Sequence, residues 1–154
     1  MKIIDKALLD RTSKEARKES RLRKNYNLHE RLCDPVNRLL NALEPGTYIP
    51  VHRHSHPAKD ETIIVLRGSV VSVIFDDAGN IIERVEVDPT HGVYGFDIPA
   101  GQWHGLLVKE SGTVVFEVKK GPFTPLSEED IAPWAPRTDD QEGIARYLNR
   151  LSEE

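Results

Sequence analysis

The sequence predicts a mainly β protein, a sandwich or small barrel, preceded by a helix and followed by a proline-rich tail. Three observations predict it. Short runs rich in Val, Ile and Leu recur from residue 36 to residue 119, each bounded by turn-forming residues; short strands at such spacing build sandwiches and barrels. Residues 5 to 25 instead carry Ala7, Leu8, Leu9, Ala16 and Leu22 with neither Pro nor Gly, the composition of a helix. Beyond Gly121-Pro122 the chain is punctuated by Pro125, Pro133 and Pro136, and reads as a tail draped over the barrel with Trp134 as an apolar anchor. A chain of 154 residues has the size of one domain. The expected organisation is a helix and connector over 1–35, a barrel over 36–121 and a tail over 122–154, where Ile144, Tyr147, Leu148 and Leu151 suggest a short helix from 140 to 151.

The elements follow in order. Leu28 to Asp34 connects the helix to a strand from Val36 to Leu43, which stops at the turn Glu44-Pro45-Gly46. Tyr48 to His54 is extended, with Pro50 marking a bulge or an edge. After a loop at His56 to Lys59, Thr62 to Leu66 forms a dense β run that stops at Gly68. Val70 to Phe75 and Ile81 to Val87 flank Asp76-Asp77-Ala78-Gly79-Asn80 and make a hairpin. Gly92 to Ile98 is a short strand, and Pro99-Ala100-Gly101 turns the chain into Trp103 to Val108. Glu110-Ser111-Gly112 turns it again into Val114 to Lys119.

The net charge of -4 provides no global basic field to attract nucleic acid or an acidic membrane. The basic stretch Arg17, Lys18, Arg21, Arg23, Lys24 is interrupted by Glu19 and reads as a solvated helix face. Cys33 stands alone, so no intramolecular disulfide forms. No long apolar run opens the chain or approaches membrane-spanning length. The expectation is a cytoplasmic protein with a small-molecule ligand and neither a nucleic-acid nor a membrane partner.

His52, Arg53 and His54, then Glu61, and later His104 carry the functional signal. Two histidines at i and i+2 on an extended segment point to the same side. A carboxylate and a third imidazole complete a set of three nitrogens and one oxygen for one divalent transition metal (Fe, Zn, Mn or Ni), a set poorly suited to Ca or Mg.

Spacing adds a resemblance. Gly46, five residues, His52-x-His54, then Glu61, six residues and Gly68 resemble the first cupin motif. Pro99-x-Gly101-x-x-His104 resembles the core of the second. The resemblance implies a cupin jelly-roll β-barrel with His52, His54, Glu61 and His104 as metal ligands. Six residues separate His54 from Glu61, where the general pattern has three or four, which makes His56 or Asp60 competing ligands; the spacing to Gly68 favours Glu61. Val108 stands where an asparagine often follows the last histidine. A narrower likeness runs from Met1 to about Pro136 through Asn27-Leu28-His29, Asp34 to Leu43, Pro45-Gly46-Thr47-Tyr48, Phe116-Glu117-Val118-Lys119 and Gly121-Pro122-Phe123. On these residues the chain resembles the WbuC family of cupin-fold metalloproteins. That implies a divalent metal and a link to surface-polysaccharide gene clusters, with no reaction attached.

Three further residues are candidate catalytic groups. His29 lies in a polar connector that can fold across a barrel mouth, and Asn27 goes with it. Tyr48 shares the parity of His52 and can reach the pocket with its phenol. Glu117 and Lys119 alternate with Phe116 and Val118. Apolar neighbours favour both charges outside; a wet interior would make them a pocket acid/base pair. Arg38 and Asn41 interrupt an apolar strand on opposite faces, so one of them points inward. Trp103 and Arg53 should face away from the metal, and His91 should be solvated.

The first functional reading is a small metalloenzyme acting on a polar or sugar-like metabolite. Glu117 or His29 would move a proton, and the reaction is left open between isomerisation or epimerisation and dioxygenation. The alternative is a non-catalytic cupin that binds a small molecule through its metal. By analogy with small cupins, a homodimer is expected.

Overall fold

The computed structural model describes residues 1–153. Two antiparallel sheets make a jelly roll. The larger contains, in spatial order, β1 (Arg23–Asn27), β2 (Val36–Leu43), β8 (Thr113–Lys120), β3 (Glu61–Arg67) and β6 (Gly95–Ile98). The smaller contains β5 (Ile81–Val87), β4 (Val70–Phe75) and β7 (Trp103–Val108). Helices α1 (Lys6–Ala16) and α2 (Gln141–Glu153) lie at the two ends of the chain. Among the described residues no helix is long and apolar enough to cross a membrane.

Helix α1 starts where Asp5 accepts a hydrogen bond from the Leu8 N–H at 2.9 Å, an N-cap. Its Leu8 and Ala16 bury against Leu40, Ala42 and Val114 on the outer face of the larger sheet, with Tyr26 and Phe116 beside them. The helix ends at Ala16 rather than near residue 25. Leu22 adopts φ 55, and its carbonyl accepts from the Glu44 N–H at 3.0 Å. Residues 23–27 then pair with β2, from Arg23 opposite Leu43 to Asn27 opposite Leu39. Pairing with β2 thus takes Arg23, Lys24 and Asn25 out of the expected helix.

The other outer face is covered by the C-terminal segment. Val71, Val73, Phe75, Trp103 and Leu107 pack against Leu151, Tyr147 and Leu148 of α2 and against Ala132, Trp134 and Ala135 of the tail. Trp134 sits over Gly79, where a Cβ would come within 2.6 Å of the indole and where φ is +85. Only glycine suits that turn. Tail and anchor thus lie where the proline pattern puts them.

Between the sheets, the inner residues change character along each strand. At one end Leu43, Val65, Val70, Val87, Val108 and Val115 form an apolar core. Two or four residues along the same strand faces stand Asn41, Glu61, His104 and Glu117. One end of the barrel is therefore dry and the other polar.

Two expected strands differ in detail. Asp88 caps a 3-10 turn at Pro89–His91, so β6 starts at Gly95 rather than Gly92. The segment 48–54 is extended but forms only isolated bridges, His52 with His104 and His52 with Ile131.

Leu40 is fully buried on the face opposite the polar end. Leu40→Ala should lower stability by about 2–5 kcal/mol in urea unfolding and leave metal stoichiometry unchanged. A loss below about 1 kcal/mol, on the order of a surface change, would mean that α1 does not seal this face.

Candidate metal centre

Backbone pairing brings the first two ligand segments together. The His52 N–H donates to the His104 carbonyl at 3.1 Å, and the His104 N–H returns the bond at 2.9 Å. The two imidazole centroids lie 4.3 Å apart, and His54 lies 4.9 Å from His52. Glu61 opens β3 opposite Ile98 and Lys119. The ligand-type atoms of His52, His54, Glu61 and His104 all lie within 4.8 Å of one another, a cluster that can hold a metal ion.

Hydrogen bonds set the tautomers. His52 Nδ1 lies 2.8 Å from the Pro50 carbonyl, and His104 Nδ1 lies 2.9 Å from the Gln102 carbonyl. A carbonyl only accepts, so each Nδ1 carries the proton and each Nε2 presents a lone pair. Burial, with the neighbouring His104, pushes His52 down to about 3, so its imidazole is neutral. His104 Nε2 is buried without a hydrogen-bond partner, 3.4 Å from Glu61 Oε2. Two acceptors that close call for a cation between them. The donor set fits a divalent transition metal on these grounds.

Glu61 is buried yet ionised. Burial works to raise its carboxyl, but His104, His54 and Lys119 outweigh it and hold the carboxyl well below the usual range. His54 Nε2 lies 3.1 Å from Oε2, and Lys119 Nζ donates to Oε1 at 3.0 Å. The same ammonium donates to Glu117 at 2.9 Å and lies 3.4 Å from His54 Nε2. Burial, then the Glu61 charge, pushes Glu117 up to about 7. Burial works against the Lys119 charge, but Glu117 and Glu61 raise its pKa overall.

This placement corrects the favoured reading of β8. Glu117 and Lys119 face inward, and Phe116 packs outward beneath α1. The helix makes the outer face of that strand apolar as well, so apolar neighbours do not identify the core side. Of Arg38 and Asn41, Asn41 is the buried one.

The six-residue gap is absorbed by a small loop. Ser55 bridges Ala58, and the Lys59 N–H returns to the His54 carbonyl at 3.3 Å. His56 is exposed, and Asp60 accepts from the Ala100 N–H at 2.9 Å. Neither belongs to the cluster.

Tyr48 turns elsewhere. Its hydroxyl donates to the Pro136 carbonyl at 2.6 Å, and its ring meets Tyr147 edge-on at 5.7 Å. The expected reach into the pocket gives way to tail packing. His29 is buried, with Nδ1 2.9 Å from the Arg38 carbonyl and 3.1 Å from the Arg38 N–H; Asn27 is exposed. Arg53 lies over Trp103 at 4.3 Å, away from the cluster. His91 is exposed beside Asp88.

One residue had no signal in the sequence. Asp130 lies in the acidic run Glu128-Glu129-Asp130, which reads as solvated surface. It is buried, and its carboxylate accepts from the N–H groups of Ser55 and His56, both at 3.3 Å. Its carbonyl accepts from the Arg53 N–H at 3.0 Å, and the Ala132 N–H donates to Val51 at 2.9 Å. The tail thereby clamps the ligand-bearing segment from the side opposite β7.

Comparison with known proteins agrees with this fold. The model of a family described as "Domain of unknown function (DUF6016)" matches residues 4–87. Solved structures resemble the whole barrel. The chain is 17% identical to a cupin 2 domain-containing protein from Halorhodospira halophila, with a TM-score of 0.52 over 83% of this chain and 81% of that one. It is 16% identical to KdgF from Halomonas sp., with a TM-score of 0.52 over 66% and 82%. It is 23% identical to TT1209 from Thermus thermophilus, with a TM-score of 0.55 over 78% and 97%. At these identities the likeness establishes the cupin fold. No curated protein matches the chain.

Asp130→Ala should weaken metal affinity roughly tenfold, as loss of outer hydrogen bonds does in metal sites, while Asp130→Asn keeps an acceptor and most of the affinity. Competition against a chromophoric chelator measures both. Equal affinity for wild type and Asp130→Ala would show that the clamp does not govern the site.

Proposed function

The chain belongs to the DUF6016 family, and we propose that it is a metal-dependent cupin enzyme acting on a small polar, sugar-like metabolite. The observation that supports catalysis is the inward pair Glu117 and Lys119. Three imidazoles and Glu61 already suffice to hold a metal. A second buried carboxyl, linked to Glu61 through one ammonium, is surplus to that task. A bound divalent metal would supply a Lewis acid for a substrate oxygen. Glu117 is the group that moves a proton, being poised near neutrality by burial and by the Glu61 charge. Lys119 orients both carboxylates and stabilises negative charge on a substrate oxygen. Tyr48 holds the tail over the barrel.

The motif residues support membership of the WbuC family of cupin-fold metalloproteins, hence a role in surface-polysaccharide metabolism. Isomerisation or epimerisation by proton transfer suits a carboxyl of this kind better than oxygenation, which needs no such acid.

Glu117→Gln keeps the shape and a hydrogen bond to Lys119 but loses the transferable proton. It should retain the metal, retain the fold, and slow solvent-proton exchange into a bound sugar by at least about a hundredfold, the usual worth of a general acid–base group. NMR in deuterated water with candidate sugars reads the exchange. Exchange unaltered by the substitution would remove Glu117 from the proton transfer, and metal bound with no exchange in wild type would favour a non-catalytic binding cupin.

A further inference from the structure

We propose that Asn37, Asn41 and His29 form a recognition wall for a polyhydroxylated ligand: a sugar, a sugar acid or an alditol. The inference rests on the metal pocket described above and adds the surface that reads the ligand. All three residues are more than nine-tenths buried, at 5%, 7% and 6% exposure. Each retains a polar atom with no hydrogen-bond partner: Asn37 Nδ2, Asn41 Oδ1 and His29 Nε2. Buried polar groups are paired as a rule, and an unpaired one lowers stability. Three of them along one stretch of chain mark a surface built for a partner.

Register places them beside the reactive groups. Asn37 stands opposite Lys119, Leu39 opposite Glu117, and Asn41 opposite Val115. Cross-strand partners share a face, so both asparagines lie on the inner face with Glu117 and Lys119. His29 is held by Arg38, next in sequence to Asn37. Its Nδ1 lies 2.9 Å from the Arg38 carbonyl and 3.1 Å from the Arg38 N–H, and its Nε2 is unpaired. Leu39 and Leu43 lie on the same strand face as the asparagines, so apolar side chains are accommodated there. An amide at 37 and 41 serves no packing need.

The chemistry of the wall selects a class. It offers an amide donor, an amide acceptor and an imidazole nitrogen. Hydroxyl groups both donate and accept, and match such a mixture. Asn37 and Asn41 stand about 13 Å apart along the strand, at about 3.3 Å per residue. A molecule with several hydroxyls spans that distance, whereas a small inorganic anion would meet only one end.

The test is binding of D-gluconate, D-glucuronate, D-sorbitol and maltose to metal-loaded wild type, Asn37→Leu and Asn41→Leu, read by thermal shift and by side-chain amide NMR. At least one compound should raise the wild-type Tm and move the Asn37 and Asn41 amide resonances. Acids alone would assign a sugar acid, and sorbitol or maltose a neutral polyol. Both leucine variants should melt no lower than wild type without ligand, keep their metal, and bind roughly tenfold more weakly or worse. Where one leucine variant alone fails to fold, serine at that position replaces it, with the same expected loss of binding. No response of wild type to any compound, undiminished binding by the variants, or a lower ligand-free Tm in both leucine variants would each overturn the wall. Metal content of the same samples separates the two readings. Metal bound without a polyol response sinks the wall alone, whereas no metal sinks the pocket.

Discussion

A buried carboxylate, Glu61, is the charge around which the polar end of the barrel is organised. Removing a carboxylate from water is costly unless opposite charge and hydrogen bonds surround it. Here Lys119 and His54 do so. Lys119 donates to Glu117 as well, so one buried ammonium bridges the two carboxyls. Burial and the neighbouring imidazoles keep His52 neutral. The whole constellation is therefore short of positive charge at the point where His104 Nε2 and Glu61 face each other. A divalent cation there resolves the imbalance.

The rest of the architecture serves that end. Because α1, α2 and the tail cover the outer faces of β2, β4, β7 and β8, both faces of those strands are largely buried. The inner faces are then free to be polar at one end without loss of the core. The tail contributes to the centre directly, since Asp130 anchors the ligand-bearing segment and Trp134 fixes the tail over Phe75 and Gly79. Stability of the C-terminal segment and order at the centre are thus linked through the same few hydrogen bonds.

Much of this was legible in the amino-acid sequence. Turn residues delimit β2, β4, β5 and β7 because glycine and aspartate are needed where those strands reverse. The clustering of His52, His54, Glu61 and His104 was legible because His52-x-His54 alternates on an extended segment, and because Gly46, Gly68, Pro99 and Gly101 fix its distance from turns. What escaped depended on neighbours far along the chain. Arg23 and Lys24 carry helix-compatible side chains and join a strand because β2 offers an open edge. The faces of Glu117 and Lys119 could not be read from alternation, since α1 buries Phe116 on the opposite side. Asp130 looks like any solvated acid until the segment at Ser55 and His56 is laid against it. Parity alone sends Tyr48 inward, but the irregular backbone at Pro50 and the hydroxyl's bond to Pro136 send it to the tail.

A metal held by His52, His54, Glu61 and His104 is the premise on which the chemistry of the polar end depends. The most direct measurement is elemental analysis of protein purified without chelator or affinity tag, on wild type and His54→Ala together, with circular dichroism to establish that both are folded. The expected result is a single transition metal per chain in wild type and its loss in the folded variant. A folded wild type that carries no metal and takes up none on reloading, or equal metal in the two proteins, would contradict it.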